Sequence, residues 1–279
     1  MTTCNPDSPT LLLAHDSDNV VTGTTAGLQI AAWSRPKPGR DSPNEDSAAV
    51  IPVDDQSAVL IVADGLGGLR GGHQASNLAV RLVADSIFAS RDARLPLRAL
   101  ILDGLERANQ AIKELGIGAA TTIAAVEWRN GEIRPYHVGD SMILTTGQRG
   151  RLRMQTVSHS PVGFAVEYGL LDESEAMHHE ERHLVSNVVG TDDMRIELGP
   201  PLRLARYDTV LLASDGLFDN LYTDEIVELI RKGPLARSLG KLVKIAQERM
   251  TNPVEGVPCK PDDMTVIAMR QSRRRESSN

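Results

Sequence analysis

The chain has 279 residues and a formal charge of −7, with 37 acidic against 30 basic side chains. That length allows one large domain or two small ones around a sizeable core, and the acidic balance argues against nucleic acid, whose backbone calls for a basic footprint. Two cysteines make neither a disulfide framework nor a zinc set, and no apolar run approaches the roughly 18–20 residues that span a bilayer, so the expectation is a cytoplasmic protein with reduced thiols and no membrane association.

Residues 1–24 are rich in Ser, Thr, Asp, Asn and Pro without a period and predict a flexible N-terminal arm; no basic residue precedes Arg35, so this stretch does not read as a signal peptide. Strands are predicted at Leu28 to Trp33, Ser47 to Val53 and Ala58 to Val62, the last ending on Ala63-Asp64-Gly65. Apolar residues at helical spacing then predict two helices, about Gly72 to Ser90 and Leu95 to Leu115. Thr121 to Trp128 alternates as a strand, Asn130-Gly131 is a strong hairpin signal, and Ile133 to Val138 and Met142 to Thr146 continue the sheet. Val157 to Val189 is polar, holds several histidines and glutamates, and reads as a surface excursion with a helical piece at Asp172 to His179. Leu202 to Ala213 reads as one strand running into Ser214-Asp215-Gly216. Helices at Asp224 to Lys232 and Leu235 to Met250, a strand at Thr265 to Met269 and a flexible tail at 272–279 complete the chain. Strands and helices in groups, with hairpins, indicate an α+β fold in residues 25–271.

Acidic residues recur at strand ends and tight turns: Glu45-Asp46, Asp64-Gly65, Asp140, Asp215-Gly216 and Asp262-Asp263. A carboxylate at a strand end can stay near the core without being buried alone, and several that converge repel one another unless a divalent cation neutralises them. Oxygen ligands of this kind favour hard cations, magnesium or manganese. A glycine after Asp64 lets the chain turn and a backbone carbonyl face the metal. Any single Asp-Gly is more often a plain turn than a ligand. The combination, in order, is the signal.

At these residues the sequence resembles the metal-dependent type 2C protein phosphatase family, in its compact bacterial form, over about residues 26–270. The motifs are Pro43-Asn44-Glu45-Asp46-Ser47, Val62-Ala63-Asp64-Gly65-Leu66-Gly67-Gly68, Ala120-Thr121-Thr122, His137-Val138-Gly139-Asp140-Ser141, Ala213-Ser214-Asp215-Gly216-Leu217-Phe218-Asp219 and Asp262-Asp263-Met264-Thr265-Val266. The resemblance implies a central sandwich of two antiparallel β-sheets flanked by pairs of helices, four layers in αββα order, with metals in a cleft at one edge. It implies two Mn2+ or Mg2+ ions per chain: Asp64 bridging both, the Gly65 carbonyl on the first, Asp215 and Asp262 on the second, Glu45 and Asp46 supporting directly or through water. Asp140 with Asp215 would hold a third, weaker ion. The implied reaction is hydrolysis of phosphoserine and phosphothreonine on proteins by a metal-activated water, whose pKa falls from about 15.7 toward neutral, with no covalent intermediate. The implied partners are a phosphorylated protein substrate and a serine/threonine kinase or its targets, and the chain would act as a monomer.

The sequence departs from the family pattern in three places. Arg40 is the candidate phosphate clamp, catalytic and substrate-binding, but stands one residue farther from Asp46 than the pattern places it, and Lys37 is a substitute. Leu66 stands where animal members carry a histidine general acid, so metal-bound water would protonate the leaving group. Asp263 stands where the family usually has asparagine; Asp262 reads as the ligand and Asp263 as its support. His178, His179 and His183, beside Glu180 and Glu181, read as a solvated face and not a zinc site. Residues 158–188 coincide with the family's variable flap. Two other readings stay open: a non-catalytic binding module on the same fold, and a phosphatase of a small-molecule phosphate.

Overall fold

Apolar runs such as Ala58 to Ala63 form strands whose two faces are both covered, which is why they read as continuous and not alternating. The computed structural model describes residues 3–4, 8–39, 41–66, 71–89 and 95–272. Its first half comprises β1 (Thr3–Cys4), β2 (Thr10–Leu13), β3 (Val21–Thr25), β4 (Leu28–Arg35), β5 (Asp46–Asp54), β6 (Ser57–Asp64), α1 (Gly72–Ala89) and α2 (Leu97–Glu114). Next come β7 (Ile123–Arg129), β8 (Glu132–Val138), β9 (Met142–Thr146), β10 (Leu152–Gln155), α3 (Pro161–Glu167), α4 (Glu173–Met177) and a 3-10 turn at Glu180–His183. The chain continues with β11 (Glu197–Leu198), β12 (Leu202–Arg203), β13 (Thr209–Ala213), α5 (Asp215–Phe218), α6 (Thr223–Ile230), α7 (Leu235–Thr251) and β14 (Met264–Gln271).

One sheet runs β1-β3-β4-β14-β13-β9-β10, antiparallel except where β1 lies parallel to β3. The other runs β11-β8-β7-β6-β5-β2, with β12 also on β8. Alternate residues of each strand serve different layers. Ala48, Val50, Leu60 and Val62 meet Ile30, Leu212 and Ile267 between the sheets. Ala49, Ile51, Val59 and Ile61 face α1 and α2. Leu211, Ala213, Val266 and Ala268 face α6 and α7. The result is the four-layer αββα sandwich expected, and full burial of each large aliphatic side chain contributes about 1.5–3 kcal/mol.

Three expectations change. Residues 8–24 are not wholly an arm: β2 pairs with β5 and β3 with β4, and Leu12 and Val21 are buried in the inter-sheet core. These strands are too short for a period to show in sequence. The single strand Leu202 to Ala213 is two strands in different sheets, β12 on β8 and β13 between β14 and β9. The chain crosses over at a turn in which Asp208 accepts from the Ala205 N–H and donates its own N–H to the Ala205 carbonyl. The Asp215-Gly216 turn is the first turn of α5, entered from Ser214 in extended conformation.

Candidate metal centre

The registers bring the acidic strand ends to one edge of the sandwich. Asp46 opens β5 directly opposite Asp64, which closes β6. In the other sheet Ala213 pairs with Val266 and Met142, so Asp215 leaves β13 beside the segment that carries Asp262 and Asp263 into β14. Asp140 sits in the turn from β8 to β9, where the chain passes from one sheet to the other.

Glycines set the close approaches. A Cβ on Gly65 would lie 2.3 Å from the Gly72 carbonyl oxygen and 2.7 Å from that of Glu45, so no side chain fits there. The Gly65 N–H donates to the Glu45 carbonyl at 3.1 Å, which ties the Asp64 turn to the start of β5. Gly139 has φ of +102° and would set a Cβ 2.6 Å from Thr122, so the loop presenting Asp140 also requires glycine.

Electrostatics shows that the carboxylates act on one another. Burial, then the charges of Asp46, Asp215, Asp262 and Asp140, hold Asp64 well above the usual carboxylate range. Asp46 is fully buried and likewise raised, first by burial and then by Asp263 and Asp215, against the hydrogen bond from Ser214. Asp140 is pushed up to about 8 by burial and Asp215, Asp262 to about 7 by burial and Asp215, and Asp219 to about 6 by burial and Asp215. Asp46 Oδ2 accepts from Ser214 Oγ at 2.7 Å, but its Oδ1 is buried without a hydrogen-bond partner. A buried carboxylate oxygen in that state costs free energy unless a cation meets it. An oxygen-only donor set with an orphaned oxygen and strongly repelling charges fits a hard divalent cation.

The sequence-predicted residues fall as follows. The charge of Asp215 acts on Asp46, Asp64, Asp140 and Asp262, which gathers the five into one cluster. The Glu45 side chain passes Gly72, where a Cβ would be 2.9 Å from its Oε1. Arg40 lies outside the described residues. Lys37 lines a cavity between the β4–β5 connection and α7 with Arg35, Gly39 and Lys244, which none of the clustered carboxylates lines. Leu66 offers no proton donor; its N–H bonds to the Ala120 carbonyl at 3.2 Å. Asp263 is 4% exposed, and its two oxygens accept from the N–H groups of Lys37 and Glu45, both at 2.6 Å. It is a strut for the backbone at Lys37 and at Glu45, as the extra oxygen relative to asparagine allows.

Two residues are new. Lys260 Nζ contacts Asp215 Oδ2 and lies 2.6 Å from Asp219 Oδ2. Asp215 and Asp219 are four apart, a spacing that shares a helix face, but reading Asp215-Gly216 as a turn hides it. No sequence pattern announces Lys260.

The histidines divide as expected, with one addition. His178 and His183 bond to the carbonyls of Ser174 and Glu180, and His179 accepts from the Glu181 N–H. His137, His159 and Glu197 bring potential ligand atoms within 4.8 Å of one another. Hydrogen bonding argues against His159 as a ligand there. The Gly139 N–H donates to His159 Nδ1 at 3.0 Å, so Nε2 carries the proton toward Glu197 Oε2 at 2.9 Å and has no lone pair to give. His159 also donates its backbone N–H to the Gly139 carbonyl at 2.8 Å, clamping the loop that bears Asp140.

A cavity of about 570 Å3 adjoins the cluster, with Asp140, Asp215 and Asp219 at one end and Val162, Met177 and Phe218 among its apolar walls.

Comparison with known proteins agrees with the fold. The family described as protein phosphatase 2C matches residues 38–253. The serine/threonine phosphatase stp of Listeria monocytogenes is 30% identical over 199 residues, 67% of this chain and 77% of that protein. The S. agalactiae serine/threonine phosphatase superposes with a TM-score of 0.72 at 27% identity, over 87% of this chain and 99% of that one. The catalytic domain of the serine/threonine protein phosphatase PstP, in complex with two manganese ions, does so with a TM-score of 0.66 at 25% identity, over 87% and 97% of the two chains.

Proposed function

The chain belongs to the protein phosphatase 2C family and is a metal-dependent protein serine/threonine phosphatase, and on that premise we propose that Asp46, Asp64, the Gly65 carbonyl, Asp215 and Asp262 hold two divalent ions, with Glu45 in support. Manganese or magnesium suits the all-oxygen donors, and the two manganese ions of the similar PstP domain support the same choice. Such ions supply a water nucleophile at neutral pH and stabilise charge on phosphoryl oxygens.

The chain's own residues do the rest. Asp64 and Asp46, opposite one another in register, present carboxylates from one sheet toward Asp215 and Asp262 on the other. Gly65 and Gly72 keep side chains out of the turn. The Asp263 strut and the His159 clamp hold the two loops that flank the cluster. Residues 158–188 act as a flap over substrate access; α3 and α4 supply Val162, Val166 and Met177 to the wall of the adjoining cavity. Arg40 is retained as the phosphate clamp, on the chemistry of a guanidinium against phosphate. A partner serine/threonine kinase, a monomeric state and a cytoplasmic location belong to the same proposal; among the described residues no helix is long and apolar enough to cross a membrane.

The single observation that carries the metal centre is the orphaned Asp46 Oδ1 inside a set of carboxylates that raise one another's proton affinity. The test is hydrolysis of a phosphothreonine peptide with manganese and with chelator, on wild type and Asp64→Asn. The variant is expected to lose at least about a hundredfold in kcat, the scale of removing one electrostatic group at a reacting centre. Unchanged activity in Asp64→Asn would end the proposal.

A further inference from the structure

The acidic cluster already holds a cation of the chain's own. Lys260 Nζ contacts Asp215 Oδ2 and lies 2.6 Å from Asp219 Oδ2 and 3.5 Å from Asp262 Oδ2. The lysine side chain is 18% exposed, so the ammonium is largely withdrawn from bulk water. The ammonium donates to Asp215 and Asp219, and Asp262 adds a third carboxylate at ion-pair distance.

The position is built. Asn220 is fully buried, accepts the Lys260 N–H on Oδ1 at 2.9 Å and donates Nδ2 to the Lys260 carbonyl at 2.8 Å. The same Nδ2 donates to the Gly216 carbonyl at 2.9 Å. Both backbone polar groups of residue 260 are thereby fixed to α5, the helix that presents Asp215 and leads directly into Asp219. The lysine stem is aimed into the cluster by its own backbone and does not merely wander to it.

We propose that Lys260 is a tethered counter-ion. Its ammonium takes the outer end of the cluster, between Asp215 and Asp219, in place of a divalent ion, so the chain binds one ion fewer than its carboxylates would otherwise accept. This rests on the metal-centre reading above. An ammonium supplies one positive charge and needs no external supply, but it cannot polarise a water as a divalent ion does. An ion entering between Asp215 and Asp219 must first evict a group that Asn220 holds in place. The end of the cluster near Asp46 and Asp64, which Lys260 does not contact, stays available.

The test is calorimetric titration of manganese into the chelator-stripped full chain, for wild type, Lys260→Met and Lys260→Arg. Lys260→Met removes the charge on a comparable stem, and Lys260→Arg keeps it. Expected is one additional manganese per chain in Lys260→Met, binding at least tenfold tighter than any third ion in wild type, with Lys260→Arg matching wild type. In chelator Lys260→Met should also melt lower than wild type and gain more from added manganese. Equal stoichiometry and affinity within twofold across the three proteins overturns the proposal while leaving the metal centre standing. No manganese uptake by either wild type or Lys260→Met overturns both readings. A measurement independent of any variant is the anomalous signal of manganese in crystals of the wild type: a peak at coordination distance from the Asp219 carboxylate overturns the counter-ion, and its absence there, with peaks beside Asp46 and Asp64, supports it.

Discussion

Stripped of metal, this protein should lose stability as the pH rises from 6.5 to 8, with Asp140 one contributor beside Asp46 and Asp64, which burial and neighbouring carboxylates also hold well above the usual range. Burial, with the charges of Asp215 and Asp219 and against that of Lys260, pushes Asp140 up to about 8. A carboxyl whose folded pKa exceeds its ordinary value of 3.8 binds its proton more tightly in the folded state. The stability it contributes is fully present below 3.8 and is lost as pH rises through about 8. Asp262 and Asp219 act with the same sign but are spent by about pH 7 and 6. His137 acts oppositely: burial lowers it to about 3, so protonation of the unfolded chain below 6.5 works against folding. That opposing contribution fades as the pH rises past 6.5. At about 1.4 kcal/mol per pH unit, Asp140 alone then gives a decline of at most about 2 kcal/mol between pH 6.5 and 8, trimmed by the solvent that reaches it. Urea unfolding in chelator across this range, followed by the fluorescence of Trp33 and Trp128, each 3% exposed, measures it directly. Asp140→Asn should make the slope shallower, removing the Asp140 share and leaving that of Asp46 and Asp64. Saturating manganese should reverse it, because ligands must be deprotonated to bind and metal affinity rises with pH. A chelated wild type whose stability is flat or rising here, or an Asp140→Asn variant with the wild-type slope, refutes the reasoning.

Asp263→Asn, a change toward the residue more usual in the family, should destabilise this chain by about 1–3 kcal/mol in saturating manganese, because the amide nitrogen cannot accept one of the two N–H groups that Lys37 and Glu45 donate. Urea midpoints would reveal it, and an unchanged or higher midpoint removes the strut role. Gly104→Ala in α2 should also destabilise. A Cβ there meets Val83 Cα of α1 at 2.7 Å, and overpacking of about 1–3 kcal/mol outweighs the gain of about 1 kcal/mol in helix propensity. A higher melting temperature for Gly104→Ala would show that the two helices separate without cost.

What the sequence discloses and what it hides have separate physical causes. Asp64 and Asp215 are legible because each ends an apolar run, and the runs are continuous because sheet partners cover one face and helices the other. A strand's period places its last residue, so a carboxylate at the end of a buried strand is located almost as firmly as the strand. The division of Leu202 to Ala213 between two sheets is not legible, since the crossing depends on one short turn closed by Asp208. The strands within residues 8–25 escape for a related reason: β2 and β3 draw their stability from registers with β5 and β4, not from a pattern of their own.

Lys260 is hidden for a different reason again. Its place is set by Asn220, forty residues earlier in the chain, and its charge travels to the cluster on a flexible four-carbon stem. Neither periodicity nor an acidic motif reports such reach. The carboxylates of a metal centre are therefore readable from sequence, whereas a lysine that competes for the same charges is not. Counting acidic residues misses the chain's own cation among them, which shows only in three dimensions, where Lys260 lies against Asp215 and Asp219.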